Sequence, residues 1–233
     1  MKRCLIISIV YLEPEWIQTK RCIDATGLPV YYVERNPKGI GSLAEAINRG
    51  YKEAKGHEYE YVWFVTNITF EPHVPYALCD SLDMFINVAC IHPSFDSDHI
   101  HERNDGSGKV KSVPFVEFTS AMVRTSVFNN YPLDEDMPYW GHDPDHGVRL
   151  WLNNHAVAVD HGVQIGHTYI RNNTKGHFVT SRRKIERAMM DEPTCNALQA
   201  KYGPDWRWMF PRDTQAIEKY FQKVKELWTS STS

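Results

Sequence analysis

The run "CLIISIV" (Cys4–Val10) is apolar almost without interruption, the pattern of a strand buried on both faces. "EWIQTKRCIDAT" then reads as a helix ending before Gly27, and "PVYYVER" (Pro29–Arg35) as a second strand. A Gly- and Pro-punctuated turn, "NPKGIGS", follows. Ser42 is placed to cap the next helix, "LAEAINRGYKEA", in which Leu43, Ala46, Ile47 and Tyr51 recur at helical spacing. "YEYVWFVT" (Tyr59–Thr66) is a third strand, "VPYALCDSLDMF" a helix and "INVACIHP" another strand. Alternation of strand and helix predicts a parallel sheet with helices on its faces. Ligands of such sheets gather beyond the carboxyl ends of the strands, here Glu34–Asn36 and Thr66–Thr69.

The second half is less regular. "SFDSDHIHERNDGSGKVK" (Ser94–Lys111) is polar, contains glycine and has no apolar period, so it reads as a loop or hairpin excursion. "SVPFVEFTSAMVRTSVF" reads as a strand passing into a short helix. The segment around "HGVRLWLNN" reads as a helix, and "AVAVDHGVQIGHTY" as a strand containing a turn. From Lys175 the chain turns basic and helical, in the separate pieces "SRRKIERAMM", "TCNALQAKYG" and "TQAIEKYFQKVKELW". The expectation is one α/β domain over 1–174 with a helical extension over 175–233 packed on it.

Composition narrows the function classes. With 233 residues, 42% hydrophobic and 24% charged, the chain can bury a sizeable core. A formal net charge of -3 gives no bulk cationic field, which argues against nucleic-acid binding driven by overall charge. The opening "MKRCLIISIVYLEPEW" starts like a secretory leader. Its apolar run is short, however, acidic Glu13 and Glu15 follow, and no small-residue cleavage site stands behind it. No stretch approaches the roughly 20 apolar residues of a membrane span. The five cysteines (Cys4, Cys22, Cys79, Cys90, Cys195) are scattered and form no C-x-x-C, which favours reduced thiols and a cytoplasmic setting.

Three stretches, in order, resemble those of nucleotide-sugar glycosyltransferases of the GT-A fold, family-2-like. "RNPKGIGSLAEAINRGYKEA" is similar to a segment in which a strand end, an Asn and a Gly turn precede a helix carrying "AxNxG"; Asn36, Gly39, Asn48 and Gly50 occupy those places. "EFTSAMVRTSVFNNYPLDEDM", containing Ser120, looks like the family's acceptor-side strand and helix. "WGHDPDHGVRLW" is similar to an "ED-x-D-x-x-x-R" segment, with His142 in place of its first acid. The resemblance covers about residues 4–170. It implies a GT-A, mostly parallel sheet flanked by helices, and transfer of a sugar from a UDP-linked donor to an acceptor hydroxyl with inversion.

It also implies site residues. A hydroxyl is a poor nucleophile at neutral pH, and a carboxylate within hydrogen-bond reach can take its proton as the new bond forms. Asp143 matches the family's catalytic base. Asp145 and Trp140 fall on the acceptor side with Ser120, although an aspartate at Asp145 equally suits a helix start. Glu34 and Asn36 would meet the ribose and base, or form a polar turn. Gly39 and Asn48 belong to the donor segment.

The diphosphate is usually neutralised by a divalent cation on a D-x-D motif after the third strand. Here Val65-Thr66-Asn67 stands at that point, without a carboxylate. Three readings stay open: Mn or Mg held weakly by Asn67, the diphosphate and His167; neutralisation by cations such as Arg171, Lys175 and Arg182; or a degenerate site.

Two rivals are a sugar-nucleotide-binding module without catalysis, and a metal-dependent hydrolase using His142, Asp143 and His146. The acceptor is open among a glycan, a lipid-linked sugar, a protein and, as a minority reading, hydroxymethylated viral or phage DNA.

Overall fold

The computed structural model describes residues 2–10, 13–34, 43–96, 102–167 and 181–204. Its eight strands are β1 (Lys2–Val10), β2 (Val30–Glu34), β3 (Tyr59–Val65), β4 (Ile68–Thr69), β5 (Val88–Phe95), β6 (Val110–Ser112), β7 (Met122–Arg124) and β8 (Ala156–His167). They follow the order β2-β1-β3-β7-β5-β8-β4, with β6 paired to β8. The long ladders are parallel, β1 with β2 and β3, and β5 with β8. The short ones, β3–β7, β5–β7, β4–β8 and β6–β8, are antiparallel. The helices are α1 (Glu13–Thr26), α2 (Leu43–Glu53), α3 (Val74–Met84), α4 (Thr125–Phe128), α5 (His142–Leu152) and α6 (Ser181–Tyr202). No helix among the described residues is long and apolar enough to cross a membrane.

The unbroken apolar run of β1 follows from burial on both faces. Leu5, Ile7 and Ile9 join Val33, Phe64, Phe118 and Phe128 on the α2 side. Cys4 and Ile6 join Ile23, Trp63, Leu78 and Ile91 on the α1 and α3 side. Alternate side chains leave opposite faces of a strand, so both sets must be apolar. Gly50 is required by this packing: a Cβ there would stand 2.3 Å from Val33 Cγ2, so α2 could not lie as close to β2.

Three predicted elements differ. Of the strand and short helix expected over 112–128, the helix is α4, while past Ser112 at the end of β6 the strand part pairs at Met122–Arg124 alone. The backbone before it lies along the end of β3, with Phe64 N–H donating to Ala121 O and Thr66 N–H to Thr119 O, both at 2.9 Å. The turn expected in 156–169 is a bulge inside one strand. Pro93 pairs with Asp160 and Ser94 with Gln164, so His161, Gly162 and Val163 are extra residues on β8. The first two C-terminal helical pieces form one helix with Pro193 inside it. Ser42 and the third piece lie outside the described residues.

α6 packs on α5. Met137, Val148 and Leu198 form a small cluster flanked by Trp140, Trp151 and Tyr202. Trp140 Nε1 donates to Asp191 Oδ1 at 3.0 Å, and Thr194 Oγ1 donates to Pro138 O at 3.2 Å.

Candidate active site

The carboxyl ends of β1, β2, β3 and β5 share one edge of the sheet, as the parallel registers Val10↔Glu34 and Ser8↔Val65 require. α5 begins at this edge. Its first turn carries Asp143, which is 9% exposed. Phe118 N–H donates to Asp143 Oδ1 at 3.1 Å, and His142 Nε2 lies 3.2 Å from the same oxygen. Phe118 sits one residue before Thr119, whose carbonyl meets Thr66 at the end of β3. Asp143 is thereby held beside the strand end where the sequence placed the diphosphate.

A second buried carboxylate holds the neighbouring amide. Glu102 is 1% exposed, and its Oε1 accepts the N–H of Glu117 at 2.8 Å. Successive amides of one segment are thus divided between Glu102 and Asp143. The segment carrying Glu102 is zipped to the end of β5: Phe95 N–H donates to Glu102 O at 2.6 Å and Asn104 N–H to Phe95 O at 3.0 Å. Asn104 Nδ2 donates to Ser94 Oγ at 2.7 Å and to His161 O at 3.2 Å, which plugs the segment into the β8 bulge. Burial first, and then the Glu117 charge, pushes the Asp143 carboxyl well above the usual carboxylate range. The Phe118 N–H opposes this, and the Glu102 charge adds to it. Sequence reasoning missed Glu102 and Glu117, because nothing in a polar, aperiodic loop marks an acid that tertiary packing will bury.

Asp145 is fully buried. Its Oδ2 accepts from Arg149 Nε at 2.8 Å, while its Oδ1 meets Lys201 Nζ at 2.6 Å and the Tyr202 hydroxyl. It ties α5 to the end of α6 and makes no side-chain cap. Trp140 is half-buried and held to Asp191. Ser120 is fully buried, its Oγ and carbonyl O accepting from Trp63 Nε1 at 3.1 and 2.9 Å. Asn48 grips the backbone of Leu133: Nδ2 donates to Leu133 O at 2.8 Å and Oδ1 accepts Leu133 N–H at 3.1 Å. Nδ2 also reaches Glu135 Oε1 at 2.9 Å. Glu34 is exposed at the end of β2, and its carbonyl accepts from Arg49 at 2.9 Å. Asn36, Gly39, Arg171 and Lys175 lie outside the described residues, and Arg182 is described in its backbone alone, within α6.

At the D-x-D position Val65 is fully buried and Thr66 donates its hydroxyl to Ile9 O at 3.1 Å. Asn67 is 7% exposed and left-handed at φ 49°, a conformation Asn tolerates better than most residues. The register Ile68↔His167 brings the backbones of Asn67 and His167 to one end of the β4–β8 ladder. Mg²⁺ and Mn²⁺ favour anionic oxygen, and among the described side chains this strand end offers an amide and a hydroxyl. Among the described residues no group of three His, Cys, Asp or Glu side chains is arranged to hold a metal ion.

The metal set of His142, Asp143 and His146 therefore does not form. His146 Nε2 donates to Tyr131 O at 3.0 Å and its ring packs against Phe118 and Phe128. Burial brings its pKa down to about 3, so it is a neutral core residue at ordinary pH.

No protein-family profile matches the chain, and no curated protein matches it by sequence. Among solved structures the fold is similar to that of GalNAc-T7 with UDP, GalNAc and Mn2+, with a TM-score of 0.51 and 9% sequence identity. The match covers 72% of this chain and 44% of that one, so the chain spans less than half that structure's length. The likeness is one of fold: a mixed sheet, mostly parallel in its long strands and flanked by helices, resembling the GT-A arrangement.

Proposed function

We propose that the chain is a glycosyltransferase, moving a sugar from a nucleotide-sugar donor, UDP-linked, to an acceptor hydroxyl with inversion. The observation that carries this reading is the buried Asp143 carboxylate, pinned by Phe118 N–H at the carboxyl edge of a GT-A-like sheet. The solved neighbour with that fold contains UDP, GalNAc and Mn2+, which supports the donor class.

In this mechanism Asp143 accepts the proton of the attacking hydroxyl while the oxygen bonds to the anomeric carbon and the nucleoside diphosphate departs. Its high proton affinity suits the task, because a base is more effective as its pKa approaches the working pH. Phe118 N–H fixes one oxygen of the carboxylate and leaves the other for the acceptor. Glu34 and Asn36 contact the nucleoside, and Gly39 lets the turn approach it. Asn67 borders the diphosphate, and Arg171 and Lys175 neutralise it. No step is routed through a metal, since among the described side chains the strand end offers an amide and a hydroxyl but no carboxylate. Asn48, Asp145, Trp140 and Ser120 act behind the site by holding its segments. The domain 1–174 carries the chemistry, with 175–233 bracing α5 through α6.

Thermal shift against a panel of sugar nucleotides tests the donor class. The true donor raises Tm by mass action. A panel that leaves Tm unchanged at millimolar ligand overturns the reading. Binding of a donor without transfer to any glycan, lipid-linked, protein or modified-DNA acceptor would favour a binding module.

A further inference from the structure

Two consecutive peptides meet two buried acids from distant parts of the chain. Glu102 takes the N–H of the Val116–Glu117 peptide at 2.8 Å and Asp143 the N–H of the Glu117–Phe118 peptide at 3.1 Å. We propose that Glu102 is a positioning residue for Asp143, clamping the Val116–Glu117 peptide so that the next N–H, that of Phe118, points at the carboxylate. This rests on the transferase reading, in which Asp143 is the base.

Glu102 has no solvent-facing role to explain it, being 1% exposed. Burying a carboxylate is expensive, and the Glu117 amide offsets part of that cost. The zipper of Phe95 and Asn104 fixes the backbone of Glu102 at this depth. Its charge also acts on Asp143. Among the described residues, the titratable groups facing Asp143 are Glu117 beside Phe118, Glu102 from the loop after β5, Cys90 from β5 and His142 on α5. The two glutamates raise its proton affinity in addition to burial. Glu102 thus supplies both the geometry and part of the basicity.

Glu102→Gln separates the two contributions, because the amide oxygen still accepts the Glu117 N–H while the charge is gone. The test is the titration of the Asp143 side-chain carbon by NMR in wild type and in Glu102→Gln. The midpoint falls in the variant by roughly one pH unit, the scale of losing one nearby like charge. The acid limb of kcat/KM for transfer moves down in step with Asp143 in Glu102→Gln. An unchanged Asp143 midpoint in Glu102→Gln overturns the contribution of the Glu102 charge, and a midpoint and transfer rate both unchanged in Glu102→Ala, which cannot accept the Glu117 N–H, overturn the clamp. The titration needs no substrate, so a wild-type protein without transfer would sink the transferase reading separately.

Discussion

Phe118 N–H and the Asp143 carboxylate are joined across 25 positions of sequence by a 3.1 Å hydrogen bond that fastens the start of α5 to the segment beside β3. The neighbouring Glu117 N–H is taken by Glu102, so this stretch gives its donors to side chains rather than to a strand. That one exchange explains both the buried acid and the missing strand.

The raised proton affinity of Asp143 has a consequence for stability. Its folded pKa lies above the unfolded value of about 3.9, so the native state holds a proton that the unfolded chain releases. Stability is therefore lost as pH rises from about 4 through the folded pKa. Asp143→Asn removes the charge and keeps an oxygen for Phe118. In chemical denaturation it is more stable than wild type at pH 8, and the gap closes towards pH 4. Every tenfold difference in proton affinity between the folded and unfolded carboxyl corresponds to about 1.4 kcal/mol.

His146 behaves in the opposite sense. With a folded pKa of about 3 against an ordinary value of 6.5, the unfolded chain binds the proton that the native state refuses. The stability that neutral His146 contributes is present above pH 6.5 and is lost as pH falls towards 3. His146→Gln flattens this acid limb when unfolding midpoints are compared at pH 7 and pH 5. An equally steep limb in the variant would contradict a neutral core histidine.

Much of this fold is legible in the sequence and part of it is not, for physical reasons. β1, β3 and α2 are read from their apolar patterns because burial alone dictates them. The stretch Val113–Ala121 has strand-like residues, but Pro114 lacks an N–H and the donors of Glu117 and Phe118 go to carboxylates. The turn expected around Gly162 is a bulge because Asp160 Oδ1 accepts the Gly162 N–H at 2.8 Å while the strand continues. Asp143 is singled out by resemblance. Glu102 is not, since its burial depends on Asn104 reaching the β8 bulge. Asp145 looks like a helix-start residue, and only the approach of Lys201 and Tyr202 reveals what it holds.

Gly147 lies one turn beyond Asp143 against the 114–115 backbone. A Cβ there would stand 2.4 Å from Pro114 O and 2.6 Å from Phe115 Cβ. Gly147→Ala forces α5 away from that segment, costing about 1–3 kcal/mol despite the better helix propensity of alanine. Thermal unfolding measures the loss. Transfer falls with it, because Asp143 shifts from Phe118.

Asp145→Ala leaves Arg149 and Lys201 without their shared buried partner and releases Tyr202. The expected destabilisation is about 3 kcal/mol, the lower scale for breaking a buried ion pair from one side. Amide exchange rises first at the end of α6. An acceptor-binding role alone would instead raise KM and leave exchange unchanged.

The central claim is that Asp143 is the base for sugar transfer, and the direct measurement is single-turnover transfer by Asp143→Asn together with donor affinity. The account predicts a folded variant that binds donor as wild type does and transfers at least ~100-fold more slowly. Transfer at a near-normal rate with intact donor binding would contradict it.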